Sequence, residues 1–100
     1  MAVKVLWTDE AQQTFDANIA YLNKEWADKE IKRFLQRTAK VIENITANPL
    51  IYPASAKSNN VRKAVVNKHI ILYYKYYPIK KVAALLSFWN TTQSPDKLKY

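Results

Sequence analysis

After a short leading segment, the spacing of apolar residues changes once along this chain, and that change fixes its fold class. Ala11, Phe15, Ile19, Leu22 and Trp26 recur every three or four residues, as one face of a helix does. A second stripe follows at Ile31, Phe34, Leu35, Thr38, Ile42 and Ile45. Beyond it the pattern turns to alternation among β-branched and aromatic residues, in Val61–Val66, His69–Tyr76 and Val82–Trp89. VKVLW at residues 3–7 reads as a short leading strand. Thr8 can cap the first helix, with Asp9 and Glu10 favourable in its first turn. Asp28 restarts a helix, and Asn48-Pro49 ends it, because proline disfavours helix in the residue before it. The order is β-α-α-β-β-β over one domain, residues 1–100. The simplest packing is an α+β, two-layer arrangement: an antiparallel sheet of about four strands on an N-terminal helical hairpin.

Charge adds a functional constraint. Residues 1–48 hold seven Lys/Arg and seven Asp/Glu and net zero, while residues 49–100 hold nine Lys/Arg against Asp96 alone, so 9 − 1 = +8. Solubility alone would not segregate charge in this way. A polyanionic partner would: nucleic acid, an acidic protein segment or a membrane surface. No apolar run approaches the ~20 residues of a membrane helix. MAVKVLWTDEAQ is not expected to act as a secretory signal, so a cytoplasmic location is expected. There is no cysteine and one histidine. Disulfides are excluded, and neither a metal nor a cofactor is expected.

The segment HIILYYKYY, residues 69–77, carries four of the seven tyrosines. The role of each depends on register. A two-residue turn at Asn67-Lys68 would pair Val66 with His69, Ala64 with Ile71 and Arg62 with Tyr73. A five-residue loop from Tyr77 to Lys81 would pair Tyr76 with Val82, Tyr74 with Ala84, Leu72 with Leu86 and Ile70 with Phe88. Directly paired residues share a face. The face toward the helices would then hold Val61, Val65, Ile70, Leu72, Tyr74, Tyr76, Val82, Ala84, Leu86 and Phe88, with Lys63 as an edge exception. The opposite face would hold Arg62, Ala64, Val66, His69, Ile71, Tyr73, Lys75, Leu85, Ser87 and Trp89.

That second face is the candidate site. Arg62, Lys75, Lys80 and Lys81 suit phosphates, and Tyr73 and Trp89 suit stacking. Each has a plain structural alternative. Arg62 can be a surface charge stacked on its cross-strand tyrosine. His69 can be an exposed turn residue, since no carboxylate can be placed beside it as a general base requires. Tyr73 and Trp89 can form a small second apolar cluster. Phe15, Trp26 and Phe34 are expected in the core, and Lys97 and Lys99 in a solvated tail. Ser94-Pro95 should begin a short turn.

The ordered segments VLWTDEAQQTFDANIAYL, ITANPLIYP, VRKAVVNKHIILYYKYY and VAALLSFWNTTQSPDKL together resemble the RelE/ParE superfamily of bacterial toxins. The resemblance covers nearly the whole chain. It implies a toxin of a type II toxin–antitoxin pair, with a cognate antitoxin that blocks it. RelE-like members cleave messenger RNA on the ribosome with basic residues, often with a Tyr or His. ParE-like members poison DNA gyrase. Arg62 matches the recurrent arginine at the head of the second strand. Where the next strand commonly carries an aromatic and then an arginine, this chain has His69 and Ile70. Where the last strand often runs into a His, Tyr or Arg cluster, it has Trp89-Asn90-Thr91-Thr92-Gln93. Both departures remove groups a nuclease would use on the phosphate and the 2′-hydroxyl. The resemblance therefore implies a ParE-like gyrase inhibitor associated with plasmid stabilisation. The alternatives are a ribosome-dependent endoribonuclease, with Arg62, His69, Tyr73 and Lys75 as its reduced catalytic set, and a non-toxic, basic nucleic-acid-binding module.

Overall fold

The computed structural model describes residues 3–25, 28–57 and 60–100. The elements are β1 (Lys4–Trp7), α1 (Asp9–Glu25), α2 (Asp28–Ala47), β2 (Val61–Val65), β3 (Ile70–Tyr77) and β4 (Val82–Asn90), then a short 3-10 turn at Pro95–Lys97. The α+β order matches the expected one. Trp26, expected in the core, lies outside the described residues, as do Ser58 and Asn59 of the α2–β2 connection.

The sheet runs β1-β4-β3-β2. It is mixed rather than wholly antiparallel: β1 lies parallel to β4, with Leu6 opposite Ala84. The cause is the crossover. Both helices and two strands intervene between β1 and β4, so β1 returns to the sheet as a parallel edge. Thr8 ties the crossover down. Its Oγ1 accepts from the Ala11 N–H at 3.1 Å, the expected helix cap, and donates to the Leu85 carbonyl at 2.7 Å. Along α1, the buried Asn18 side-chain amide donates to the Phe88 carbonyl at 2.9 Å. Its own Oδ1 accepts from Asn90 at 3.3 Å.

The helices cover one face of the sheet. Leu22, Phe34 and Ile45 from the helices and Ile70, Leu72, Tyr74, Leu85 and Phe88 from the sheet are its fully buried large side chains. Phe15 joins the layers, edge-on to Trp7 and Phe88 and stacked on Phe34, at 5.2–5.6 Å between ring centres. The α2 stripe runs through Phe34, Thr38, Val41 and Ile45. Leu35, expected in that stripe, is exposed.

Register departs from expectation at both hairpins. Asn67 Oδ1 accepts from the N–H groups of His69 and Ile70, at 2.8 and 2.9 Å. This Asx turn widens the first loop to three residues, Asn67–His69, closed by Val66 N–H to the Ile70 carbonyl at 2.9 Å. A two-residue type I′ turn needs two left-handed residues, which a glycine-free sequence supplies poorly. Arg62 therefore pairs with Tyr74 and Lys63 with Tyr73. Arg62, Ala64 and Val66 turn to the helix side, and Val61, Lys63 and Val65 to the other.

The second loop has four residues, Pro78–Lys81, and Lys81 adopts a φ of 54°. Tyr74 pairs with Leu85, Tyr76 with Ala83 and Tyr77 with Val82. Ala83 and Leu85 thus face the core, and Val82 and Ala84 do not. A bulge opposite Tyr73/Tyr74 then absorbs Leu86, so Leu72 pairs with Phe88 and Ile71 with Trp89. The bulge restores the expected faces of Ser87, Phe88 and Trp89.

Candidate functional site

The sheet face away from the helices carries Ile71, Tyr73, Lys75 and Tyr77 from β3, flanked by Ser87 and Trp89 of β4. This face is covered at its centre. Tyr73 and Ser87 are buried, and the Tyr100 ring lies 5.9 Å from the Tyr73 ring at a 31° tilt. Residues 98–100 are held from several sides. The Tyr100 hydroxyl and Lys99 Nζ both donate to Glu10 Oε1 at 3.1 Å. Lys57 Nζ donates to the Leu98 carbonyl at 2.6 Å, and the buried Ser55 hydroxyl donates to the Tyr100 carbonyl. Lys97 and Lys99 are exposed, as expected of a solvated tail, and Lys99 is in addition ion-paired with Glu10. The turn expected at Ser94-Pro95 forms, without a side-chain cap from Ser94.

Electrostatics follow from that cover. Burial pushes the Tyr73 hydroxyl above its ordinary value. Burial, and then the neighbouring Glu10 carboxylate, raise Tyr100 in the same direction. The hydrogen bond to Glu10 holds the Lys99 ammonium up. On the helix side, burial pushes Tyr74 up to about 12, against the opposing pull of the Arg62 charge.

The candidate residues do not gather in one place. Tyr73, Lys75 and Trp89 share the face. Lys75 Nζ sits 5.0 Å from the centre of the Tyr77 ring, a cation–π contact worth about 0.5–1 kcal/mol. Lys80 and Lys81 are exposed in the β3–β4 turn, beside the almost fully exposed Ile79. His69 lies in the β2–β3 turn, where its carbonyl accepts from the Thr91 N–H at 2.7 Å. The two turns stand at opposite ends of an eight-residue strand, roughly 25 Å apart. Arg62 is on the far side of the sheet. It is half-buried, and its Nη1 donates to the Tyr52 carbonyl at 2.8 Å.

The cover by residues 98–100 escaped sequence reading. Glu10, Ser55 and Tyr100 are far apart in the chain, and none belongs to a recognisable motif. Among the described residues, no three His, Cys, Asp or Glu side chains gather as a metal site would need, and no helix is long and apolar enough to cross a membrane.

Residues 5–94 match the family described as the ParE toxin of the type II toxin–antitoxin system parDE. No curated protein matches the sequence. Among solved structures, the chain is similar to a metal-bound toxin from Helicobacter pylori, with a TM-score of 0.63 and 16% identity over 90% of this chain and 96% of that one. At that identity the likeness concerns the fold. The family match spans nearly the whole chain, and on that ground this protein belongs to the ParE toxin family of type II toxin–antitoxin systems.

Proposed function

We propose that this toxin acts by binding DNA gyrase, without cleaving RNA, and that its cognate antitoxin neutralises it. The observation supporting this reading is the scatter of the residues a ribonuclease would need. Arg62 is committed to the Tyr52 carbonyl on the helix side, Tyr73 is buried under Tyr100, and His69 lies in a turn beyond the strand. Acid–base cleavage needs such groups within hydrogen-bond reach of one phosphate. The β3–β4 turn is suited instead to gripping a protein, since exposed Tyr77 and Ile79 stand beside Lys80 and Lys81.

An antitoxin strand would add at the edge of β1, where Leu6 and Trp7 are partly exposed. The β2 edge, by contrast, is occupied in its first half. Ala54 bridges to Arg62, and the Lys63 N–H donates to the Pro53 carbonyl at 3.0 Å.

The test combines two assays. Purified toxin should inhibit plasmid supercoiling by gyrase, and inhibition should disappear when antitoxin is added. Primer extension after induction of the toxin alone should show intact messenger RNA. Cuts within coding frames would replace this reading with ribosome-dependent cleavage. Absence of both growth arrest and cuts would leave a non-toxic binding module.

A further inference from the structure

A second feature lies at the other end of the molecule. Between the first half of α2 and the β2–β3 turn is an open cavity of about 690 Å³, within the usual range for small-ligand sites. Arg33 and Arg37 line it from α2, one helical turn apart, and Asn67, Lys68 and His69 line it from the turn. Among the described residues Glu30 is the only carboxylate in its wall, and it pairs with Arg33 at 4.0 Å. No described carboxylate pairs with Arg37 or Lys68. Two positive charges are therefore left facing one cavity.

We propose that this cavity is a phosphate-binding site that takes a nucleotide through its phosphate, with Arg37 and Lys68 as the charged contacts. The charge count favours phosphate over carboxylate. A phosphomonoester carries about −1.5 to −2 at neutral pH, and two successive phosphodiesters carry a similar charge, whereas one carboxylate would leave a cation unmatched. Arginine's planar fork also fits phosphate oxygens in a bidentate way. Asn67 Oδ1 is already occupied by the turn, which leaves the amide N–H groups to donate. Two aromatic rings line the described wall of the cavity, Phe34, which is 1% exposed, and the half-buried His69. Phe34 is too deeply buried to anchor the apolar side chains on which peptide interfaces depend. The charged contacts of recognition therefore rest on the phosphate.

The experiment titrates the full chain at low salt with adenosine monophosphate, with a fluorescein-labelled single-stranded 12-mer and with a glutamate-rich peptide of matched charge. Arg37→Gln and Lys68→Gln are compared with Lys40→Gln, which removes the same charge from the same helix at a residue outside the cavity, already paired with Glu43 at 3.5 Å. Circular dichroism confirms that each variant is folded. Arg37→Gln and Lys68→Gln should each weaken monophosphate binding about tenfold, and Lys40→Gln should not. If the natural source is a nucleic-acid backbone, the 12-mer should show the same pattern, and each variant should lower its salt slope by about one. If the source is a free nucleotide, only the monophosphate should respond. Equal weakening by all three variants would overturn the proposal in favour of diffuse attraction. Site-dependent binding of the peptide alone, or no binding by the unsubstituted chain, would also overturn it. None of these outcomes depends on gyrase.

Discussion

Arg62 offers the sharpest test of the sheet register. If it were exposed beside Tyr73, as a two-residue turn implies, Arg62→Ala would remove a surface charge and cost within about 0.5 kcal/mol. The three-residue turn puts it on the Tyr74 side, where its guanidinium holds the Tyr52 carbonyl at 2.8 Å. Around that contact, the Tyr52 hydroxyl accepts from Asn44 at 3.1 Å and Tyr74 donates to the Pro49 carbonyl at 2.8 Å. Truncation removes a hydrogen bond from a charged donor, about 1.5–3 kcal/mol, and the packing of the aliphatic stem. We expect a total of about 2–3 kcal/mol. For a domain of this size that lowers the melting temperature by about 10 °C or more. Thermal melting followed by far-ultraviolet circular dichroism measures it directly. Arg62→Met should recover part of the loss, because it keeps the stem. A melting temperature for Arg62→Ala within about 2 °C of the unsubstituted protein would refute the placement. The same experiment guards against misreading a toxicity screen, in which an unfolded Arg62 variant would look catalytically dead.

Three further outcomes follow from the same geometry. Asn18→Ala should cost about 2–3 kcal/mol in urea unfolding, because it leaves the buried Phe88 carbonyl and Asn90 amide without their Asn18 partner; a loss under about 0.5 kcal/mol would show that solvent reaches them. Tyr74 should make stability fall in alkali: its hydroxyl is raised from 10.0 to about 12, so its contribution is complete below pH 10 and is lost as pH rises toward 12. Allowing for solvent screening, that contribution is about 1–2 kcal/mol, and unfolding at pH 8 and 11.5 should show a larger alkaline loss for the unsubstituted chain than for Tyr74→Phe. Lys81→Gly should stabilise the fold by about 0.5–1 kcal/mol, since a lysine at a φ of 54° carries a steric cost that glycine lacks, partly offset by glycine's greater freedom when unfolded; a destabilised variant would contradict the left-handed assignment.

How much could be read in advance varies with how local each cause is. Thr8 caps α1, and Asn48-Pro49 follows the end of α2, because caps and proline act within one turn of chain. Along β3, Ile70, Leu72 and Tyr74 go to the core and Tyr73 to the other face, as their alternation alone requires. Their neighbours were less legible. Side chains in a strand alternate with a period of two, so a loop longer or shorter by one residue turns every partner over. One additional residue in the first turn moved Arg62 and Ala64 to the helix side. One fewer in the second moved Leu85 into the core, and the bulge at Leu86 returned Phe88 to its expected face.

The order of the elements, the faces of β3 and the concentration of positive charge in the second half were legible along the chain, because each depends on neighbouring residues or on simple counting. That Arg62 braces the α2–β2 connection, that Tyr100 covers Tyr73, and that Arg37 and Lys68 face one cavity emerges with the fold. Those contacts join residues from 10 to 90 positions apart. No local propensity encodes such meetings; they arise when turn lengths and a bulge set how the layers close.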